Sequence, residues 1–158
     1  MSHTLTSAYI GLGANLGDPQ ARLMWAMDQL AALPQCQPVA RSGLYVSAPF
    51  EAVGPDFINA VLHLQTTLSA HELLLNLQHI ELLAGRERPY RNAPRTLDLD
   101  LLLFGDQHIH TATLQVPHPR LWERAFVLLP LAEIAPQWVT ADQLSAVAGQ
   151  PVMRLEPR

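Results

Sequence analysis

The 158-residue sequence contains no lysine, so all ten of its basic side chains are arginines. Three kinds of site are thereby excluded, because each needs a lysine: a Walker A phosphate loop, a protein-kinase-like site and a Schiff-base enzyme. If the protein binds a nucleotide, arginine must hold the phosphates. Arginine suits that task, since a guanidinium group pairs with phosphate oxygens through two parallel hydrogen bonds and keeps its charge.

Cysteine and long apolar runs are also scarce. The one cysteine, Cys36, cannot form an internal disulfide, and Met1–Leu5 lacks the basic segment and apolar core of a signal peptide. The longest apolar runs, such as Leu99–Phe104 with an aspartate inside it, fall far short of the roughly 20 residues that a membrane span needs. We therefore expect a cytoplasmic protein with no membrane partner.

The balance of residue types is that of a globular protein. Hydrophobic residues make up 49% of the chain and charged residues 15%, so we expect one domain, residues 1–158, with its own core. The net charge of −4 argues against a nucleic-acid partner. The sequence carries no signal for self-association, and we expect a monomer.

Hydrophobic periodicity predicts a mixture of strands and helices. Strands are predicted at Tyr9–Gly13, Ser42–Ser47, Phe57–Leu68, Thr96–Phe104 and Ile109–Val116. Helices are predicted from Pro19, with Asp18 as its cap, to about Pro34, and from Ser69, in capping-box spacing with Glu72, to Gly85. A third helix is predicted over Leu121–Ile134 with an interruption at Pro130. Residues 48–56 and 85–94 are predicted to be mobile loops, and the segment after Trp138 to be peripheral. This order favours an α+β fold, a ferredoxin-like antiparallel sheet with helices packed on it.

Two aspartates in the predicted strand Thr96–Phe104 suggest a metal site. Asp98 and Asp100 lie two residues apart, so their carboxylates leave one face of the strand. The alternating leucines, Leu97, Leu99, Leu101 and Leu103, leave the other face. Like charges at such positions repel, and a divalent cation is the simplest compensating partner. Magnesium commonly uses one or two carboxylates together with substrate phosphate. A solvated strand end paired to arginines is the alternative.

Arginines surround these carboxylates in the sequence. Six of the ten lie close by, namely Arg86, Arg88, Arg91, Arg95, Arg120 and Arg124. Carboxylates for a metal and arginines for phosphate together describe a nucleotide site. Ordinary surface arginines are the alternative, most of all for Arg120.

Two weaker signals lie on either side of this region. His118 stands between two prolines and could donate a hydrogen bond to phosphate, although a lone histidine more often has a structural role. Gly11, Gly13 and Gly17 do not form the G-x-G-x-x-G motif, and a tight turn explains them as well as a close ligand does.

The long motifs of the chain resemble one family. RTLDLDLLLFG (Arg95–Gly105) followed by VPHPRLWERAFVLLPLAEIAP (Val116–Pro136) resembles 6-hydroxymethyl-7,8-dihydropterin pyrophosphokinase, and the similarity begins at YIGLGANLGD (Tyr9–Asp18). The resemblance implies transfer of the β,γ-diphosphate of ATP to the hydroxymethyl oxygen of the pterin, a step of folate synthesis. It also implies that the two predicted loops close over the substrates.

The resemblance implies roles for individual residues. Asp98 and Asp100 would hold two magnesium ions that bind the ATP phosphates and the pterin hydroxyl. The phosphate contacts would come from Arg86, Arg88, Arg91, Arg95, His118 and Arg124, with Arg86 and Arg95 also counted as catalytic. The pterin would stack between Phe57 and Phe126, with Asn59 and groups near Ser47 at its polar edge.

This sequence departs from the family pattern in both loops. Phe57 stands where many members have tyrosine, which keeps the ring. Arg91–Pro94 replaces a segment that usually contains tryptophan and glycine before the proline, and the loop is one residue shorter, differences that bear on loop closure and turnover more than on binding. A non-catalytic module that binds nucleotide or pterin is therefore the alternative function. A nucleic-acid binder that uses the arginine loop fits poorly with an acidic chain.

Overall fold

A six-stranded antiparallel sheet organises the part of the chain that the structure, a computed structural model, describes: residues 4–48, 55–85 and 97–155. Its strands are β1 (Thr6–Ala14), β2 (Cys36–Arg41), β3 (Tyr45–Ser47), β4 (Phe57–Thr66), β5 (Asp98–Phe104) and β8 (Val152–Arg154), and β6 (Ile109–His110) pairs with β7 (Gln115–Val116) in a separate hairpin. The order across the sheet is β5-β1-β4-β3-β8, and β2 also pairs with β4. The predicted antiparallel α+β fold is confirmed.

Four α-helices complete the fold: α1 (Pro19–Ala31), α2 (Ala70–Ala84), α3 (Ala125–Ile134) and α4 (Ala141–Ala146). The predicted caps are present. The Asp18 carboxylate accepts the Ala21 N–H at 3.2 Å, and Ser69 and Glu72 form a reciprocal capping box. No helix among the described residues is long and apolar enough to span a bilayer.

The sheet separates two hydrophobic layers. On one face, alternate residues of β1 and β4, among them Ile10 and Leu62, pack against α1 and α2. On the other face, Tyr9 and Val61 pack against α3. Because β1 and β4 are central strands, both of their faces are buried and each strand contributes to both layers.

The strict alternation predicted for β5 is wrong at its carboxyl end. Leu97, Leu99 and Leu101 share the layer beneath α1 and α2 as predicted. The pairing with β1 then shifts, since Ile10 lies opposite Leu101 while Tyr9 lies opposite Leu103, which leaves one extra residue in β5. Leu103 is therefore turned into the α3 layer. A bulge of this kind inserts one residue and reverses the alternation beyond it.

The segment between α1 and β4 was predicted only in part. Strand β2 was not predicted, because its residues are mostly exposed and Pro38 interrupts any apolar pattern. The predicted strand Ser42–Ser47 begins later, at Tyr45.

The carboxyl-terminal region corrects two further predictions. Pro130 does not interrupt the helix, which runs through it; the break in the predicted helix lies instead at Arg124, after a 3₁₀ turn at Leu121–Glu123. The segment after Trp138 is not peripheral: it contributes α4, the buried Val147 and the edge strand β8 on β3. These elements are short, so hydrophobic periodicity could not reveal them.

Candidate active site

Two glycines of β1 form a floor on the α3 side of the sheet, which is open at Gly13 and covered at Gly11 by the Leu102 side chain, 3.3 Å from where a Cβ would stand. Gly13 lies between Asn59 of β4 and Asp98 of β5, and Gly11 lies between Val61 and Asp100. Residues directly opposite in neighbouring strands project on the same face. The carboxylates of β5 and the amide of β4 are thus separated by a strand without side chains at these positions. We call this region, Gly11, Gly13, Asn59, Asp98 and Asp100, the site end of the sheet.

The two carboxylates stand together as predicted. Asp98 and Asp100 are both half-buried, and they alternate with the buried Leu99 on the opposite face. The Leu99 N–H donates to the Glu81 carboxylate at 2.8 Å, which ties β5 to α2. Among residues 4–48, 55–85 and 97–155, no group of three histidine, cysteine, aspartate or glutamate side chains could hold a metal. Two carboxylates suit magnesium, which completes its octahedron with water and substrate oxygens.

Asn59 is held firmly at the site end. Its Nδ2 donates to the Ser47 Oγ at 2.8 Å, and the two residues are only 3% and 5% exposed. A buried amide whose orientation is set in this way leaves its remaining hydrogen-bonding capacity for a ligand. The predicted pair Ser47 and Asn59 is therefore brought together. Phe57 lies on the same face of β4 as Asn59, and neither Phe57 nor Phe126 is fully buried, so both retain exposed ring surface.

His118 approaches the carboxylates from the side. Its Nε2 lies 3.9 Å from Asp100 Oδ1, while its Nδ1 accepts the Arg120 backbone N–H at 3.2 Å. In the neutral ring the proton therefore resides on Nε2, on the side of Asp100. Burial lowers the pKa of His118, Asp100 raises it, and the charges of Arg124 and Arg120 lower it further; the net shift is downward. The ring is neutral at pH 7.

Among the arginines that the structure describes, Arg124 is the best placed to bind a ligand at the site. It lies directly before α3, and its guanidinium carbon stands 5.5 Å from the centre of the Phe126 ring. Arg120 is exposed and pairs with Glu123 at 3.9 Å, as expected of a surface residue. The predicted phosphate ligands Arg86, Arg88, Arg91 and Arg95 lie outside the described residues, as does most of both predicted loops.

A cavity of about 300 Å³ runs along the outer edge of β5. Its lining comes from α2, β5, the β6–β7 hairpin and the turn that follows it: Leu74, Leu99, Asp100, Leu101, Thr111, Ala112, Thr113, Leu114, Gln115, His118 and Pro119. The Leu99 N–H points to this edge, and in an antiparallel strand the backbone groups of Leu101 point the same way. We call this the edge cavity. Asp100 and His118 both line the edge cavity, and Asp100 is also a residue of the site end.

Sequence reasoning left Gly11 and Gly13 open between a tight turn and a close ligand, and it missed the edge cavity. Gly11 and Gly13 lie inside β1, whereas the turn uses Gly17, whose φ is 65°. Glycines two apart in a strand are a signal for close approach of another group, and that signal was in the sequence. The edge cavity carried no comparable signal, since its apolar residues come from separate elements.

Comparisons with known proteins agree with this geometry. The family model described as 7,8-dihydro-6-hydroxymethylpterin-pyrophosphokinase matches residues 9–136. The protein of Pseudomonas aeruginosa named 2-amino-4-hydroxy-6-hydroxymethyldihydropteridine pyrophosphokinase is 48% identical over 129 residues, which cover 81% of this chain and 80% of that protein. The Bacillus subtilis protein of the same name is 41% identical over 152 residues, covering 94% of this chain and 89% of the relative.

Solved structures support the fold independently. A Plasmodium falciparum HPPK-DHPS structure superposes with a TM-score of 0.69 at 14% identity, over 86% of this chain and 41% of that one. The chain thus spans less than half the length of that structure. Relatives that carry the enzyme's name do not favour the alternative of a non-catalytic binding module. Taken with the carboxylates, the glycine floor and the histidine, these matches show that the chain belongs to the 7,8-dihydro-6-hydroxymethylpterin pyrophosphokinases, ATP-dependent diphosphotransferases of folate biosynthesis.

Proposed function

We propose that pyrophosphoryl transfer from ATP to 6-hydroxymethyl-7,8-dihydropterin takes place at the site end of the sheet, with the adenosine part of ATP in the edge cavity. The observation that carries this proposal is that Asp100, a residue of the site end, also lines the edge cavity together with His118, whose Nε2 lies 3.9 Å from the Asp100 Oδ1. A nucleotide seated along β5 would direct its phosphates past His118 to the two aspartates. The acceptor would lie across the glycine floor, on Asn59.

The edge cavity suits a purine. Apolar side chains from three elements, Leu74, Leu101 and Leu114, line it, and the outward backbone groups of β5 can pair with the edge of a base. Its volume is at the lower end of the range for small-molecule pockets.

Asp98 and Asp100 fit magnesium by donor type and spacing, and we propose that they hold two ions. When bound, the metal neutralises phosphate charge and lowers the pKa of the acceptor hydroxyl. The chain's own groups orient the phosphates. His118 offers an Nε2–H donor, because Nδ1 is occupied by the Arg120 N–H. Arg124, together with the four arginines of residues 86–95, balances the charge that spreads over the transferring group.

The pterin site is proposed on the opposite side of the floor. Ser47 fixes the Asn59 amide, which would pair with the polar edge of the ring system. Phe57 and Phe126 offer partly exposed rings for stacking, which is favourable for a flat heteroaromatic ligand. The bare backbone at Gly13 lets the ligand approach the strand closely.

The state and location of the enzyme are also proposals. We propose a monomer, and light scattering of the purified protein would test this. We propose a cytoplasmic location, where ATP is abundant.

Product analysis tests the central proposal. Protein, magnesium ATP and 6-hydroxymethyl-7,8-dihydropterin are mixed, and AMP is separated from ADP by chromatography. We expect AMP that depends on the pterin, together with a pterin diphosphate. Asp98→Asn and Asp100→Asn should each lower kcat by at least about 100-fold, as loss of electrostatic stabilisation does.

A matched aspartate provides the control. Asp106, exposed in the turn after β5, becomes Asp106→Asn, which should keep full turnover. All three variants should retain the parent far-UV spectrum, since each aspartate is exposed or half-buried. Unchanged magnesium-dependent turnover in the Asp98 and Asp100 variants would refute the metal assignment.

A further inference from the structure

Helix α3 is not capped by the side chain of the residue that precedes it. The residue before it, Arg124, makes no side-chain hydrogen bond to the first turn. The first backbone donors of a helix need partners from elsewhere. One comes from the far end of the chain: the Gln150 Oε1 accepts the Ala125 N–H at 2.8 Å. The other end of the same amide, Nε2, donates to the Glu123 carbonyl at 2.8 Å.

These two hydrogen bonds enclose Arg124. Glu123 and Ala125 are its chain neighbours, so the Gln150 amide spans the backbone on both sides of the arginine. The φ and ψ of Arg124 are −122° and 113°, an extended conformation between a 3₁₀ turn and the helix. The helix holds one side of this junction, since the Arg124 carbonyl accepts the Val127 N–H at 3.1 Å and the Leu128 N–H at 2.9 Å. The Gln150 clamp adds the contact to Glu123 on the other side, and so helps to set the direction in which Arg124 leaves the backbone.

Gln150 is itself anchored on two sides. Its backbone N–H donates to the Val147 carbonyl at 3.0 Å, and Val147 is 3% exposed in the α3 layer. Two residues further on, Val152 begins β8 and pairs with Ser47. The amide is thus mounted on a segment that is fixed to the sheet beside the proposed pterin site.

We propose that Gln150 is a positioning residue for pyrophosphoryl transfer, which acts by holding the chain on both sides of Arg124. It lies outside residues 9–136, the part that the family model matches. The proposal rests on the function proposed above, because it assigns Arg124 to the phosphates.

The first test compares two glutamines of the same segment. Gln150→Ala removes the clamp, whereas the control Gln143→Ala removes a hydrogen bond of equal length, from the Thr140 N–H at 2.8 Å, that caps α4. Each variant should lower the Tm by a few degrees, and Gln150→Ala by more, because it removes two hydrogen bonds and Gln143→Ala one. Only Gln150→Ala should lower kcat/KM, by about 10-fold, because small displacements of positioning groups reduce turnover strongly.

Measurements of nucleotide binding distinguish a positioning role of Gln150 from a general loss of protein stability. In Gln150→Ala the KM for ATP should rise, while the inhibition constant of adenosine, which has no phosphates, should change less than about 2-fold. Gln150→Glu keeps the acceptor for the Ala125 N–H and loses the donor to Glu123. Its kcat/KM should therefore lie between those of the parent and Gln150→Ala. This variant also serves if Gln150→Ala does not fold. Equal losses of kcat/KM in the Gln150 and Gln143 variants would overturn the proposal.

A double-mutant cycle identifies the residue through which Gln150 acts. Coupled residues give non-additive effects. In an Arg124→Ala background, adding Gln150→Ala should change kcat/KM by less than about 2-fold. A full additional loss would show that Gln150 does not act through Arg124. If Arg124→Ala alone has normal kcat/KM, the phosphate role of Arg124 fails instead, and the two failures are distinct.

Discussion

Ser47→Ala separates the role of a buried serine in binding from its role in stability. Ser47 Oγ accepts the Asn59 Nδ2–H at 2.8 Å, and both residues are buried. A second buried serine offers a matched control: Ser42 Oγ accepts the Val61 N–H at 2.9 Å and donates to the Gly43 carbonyl at 2.7 Å. Both serines are hydrogen-bonded to β4, but only Ser47 contacts a residue of the site end.

Both substitutions should cost similar stability. Each leaves a buried N–H donor without its partner, which costs about 1–3 kcal/mol. For a domain of this size each kcal/mol corresponds to roughly 2–4 °C in Tm. The binding effects should differ. In Ser47→Ala the Asn59 amide must be ordered by the pterin itself, and immobilising one such side chain costs about 0.5–1.5 kcal/mol, a decrease in pterin affinity of up to about 10-fold.

The assay pairs denaturant unfolding with titration of the pterin in the presence of a non-hydrolysable ATP analogue. We expect both variants to lose stability, but only Ser47→Ala to bind the pterin more weakly, with affinity for the ATP analogue unchanged. Equal pterin affinity in the two variants would refute the assignment of Asn59 to the pterin. Weaker binding in Ser42→Ala as well would show that the effect is global.

Three further predictions concern other parts of the fold. Gly13→Ala places a Cβ 3.3 Å from the Asn59 Oδ1, so the pterin KM should rise about 10-fold, and a normal KM would exclude a close approach at the floor. Tyr45→Phe removes the 2.7 Å hydrogen bond from the Tyr45 hydroxyl to Glu133; burial, followed by Glu133, raises the pKa of Tyr45 to about 12. The loss should be about 1.5–3 kcal/mol in urea unfolding, and a loss below about 0.5 kcal/mol would contradict it. His63 Nε2 is buried without a hydrogen-bond partner in the part of the chain described, and burial lowers the pKa of His63 below 6.5. As the pH falls, the unfolded chain then binds this proton at a higher pH than the folded protein does. The contribution of neutral His63 to the free energy of unfolding is therefore fully present above about pH 6.5 and is lost as the pH falls through the folded pKa, by at most about 1.4 kcal/mol per pH unit. His63→Phe should make the free energy of unfolding depend less on pH. An unchanged slope in the variant would rule out His63 as the source of that dependence.

Local signals in the sequence predicted the elements that depend on them. Asp18 and the Ser69–Glu72 pair marked helix starts correctly, because a cap acts on backbone groups within three residues. Alternation placed Asp98 and Asp100 on one face of a strand whose other face is buried. It failed from Leu103 onward, because the bulge depends on how β5 meets β1 and not on β5 alone.

The residue types of the candidate site can be read from the sequence alone. The long motifs identified the family without coordinates, and the absence of lysine with the two aspartates two apart predicted a nucleotide site. Only the tertiary structure decided that Gly13 separates Asn59 from Asp98, that an edge cavity reaches Asp100, and that Gln150 bonds to the residues on both sides of Arg124. The physical reason is range: caps and alternation act between residues a few positions apart, whereas these contacts join residues 25 to 85 positions apart, whose proximity depends on how the whole sheet and its helices pack.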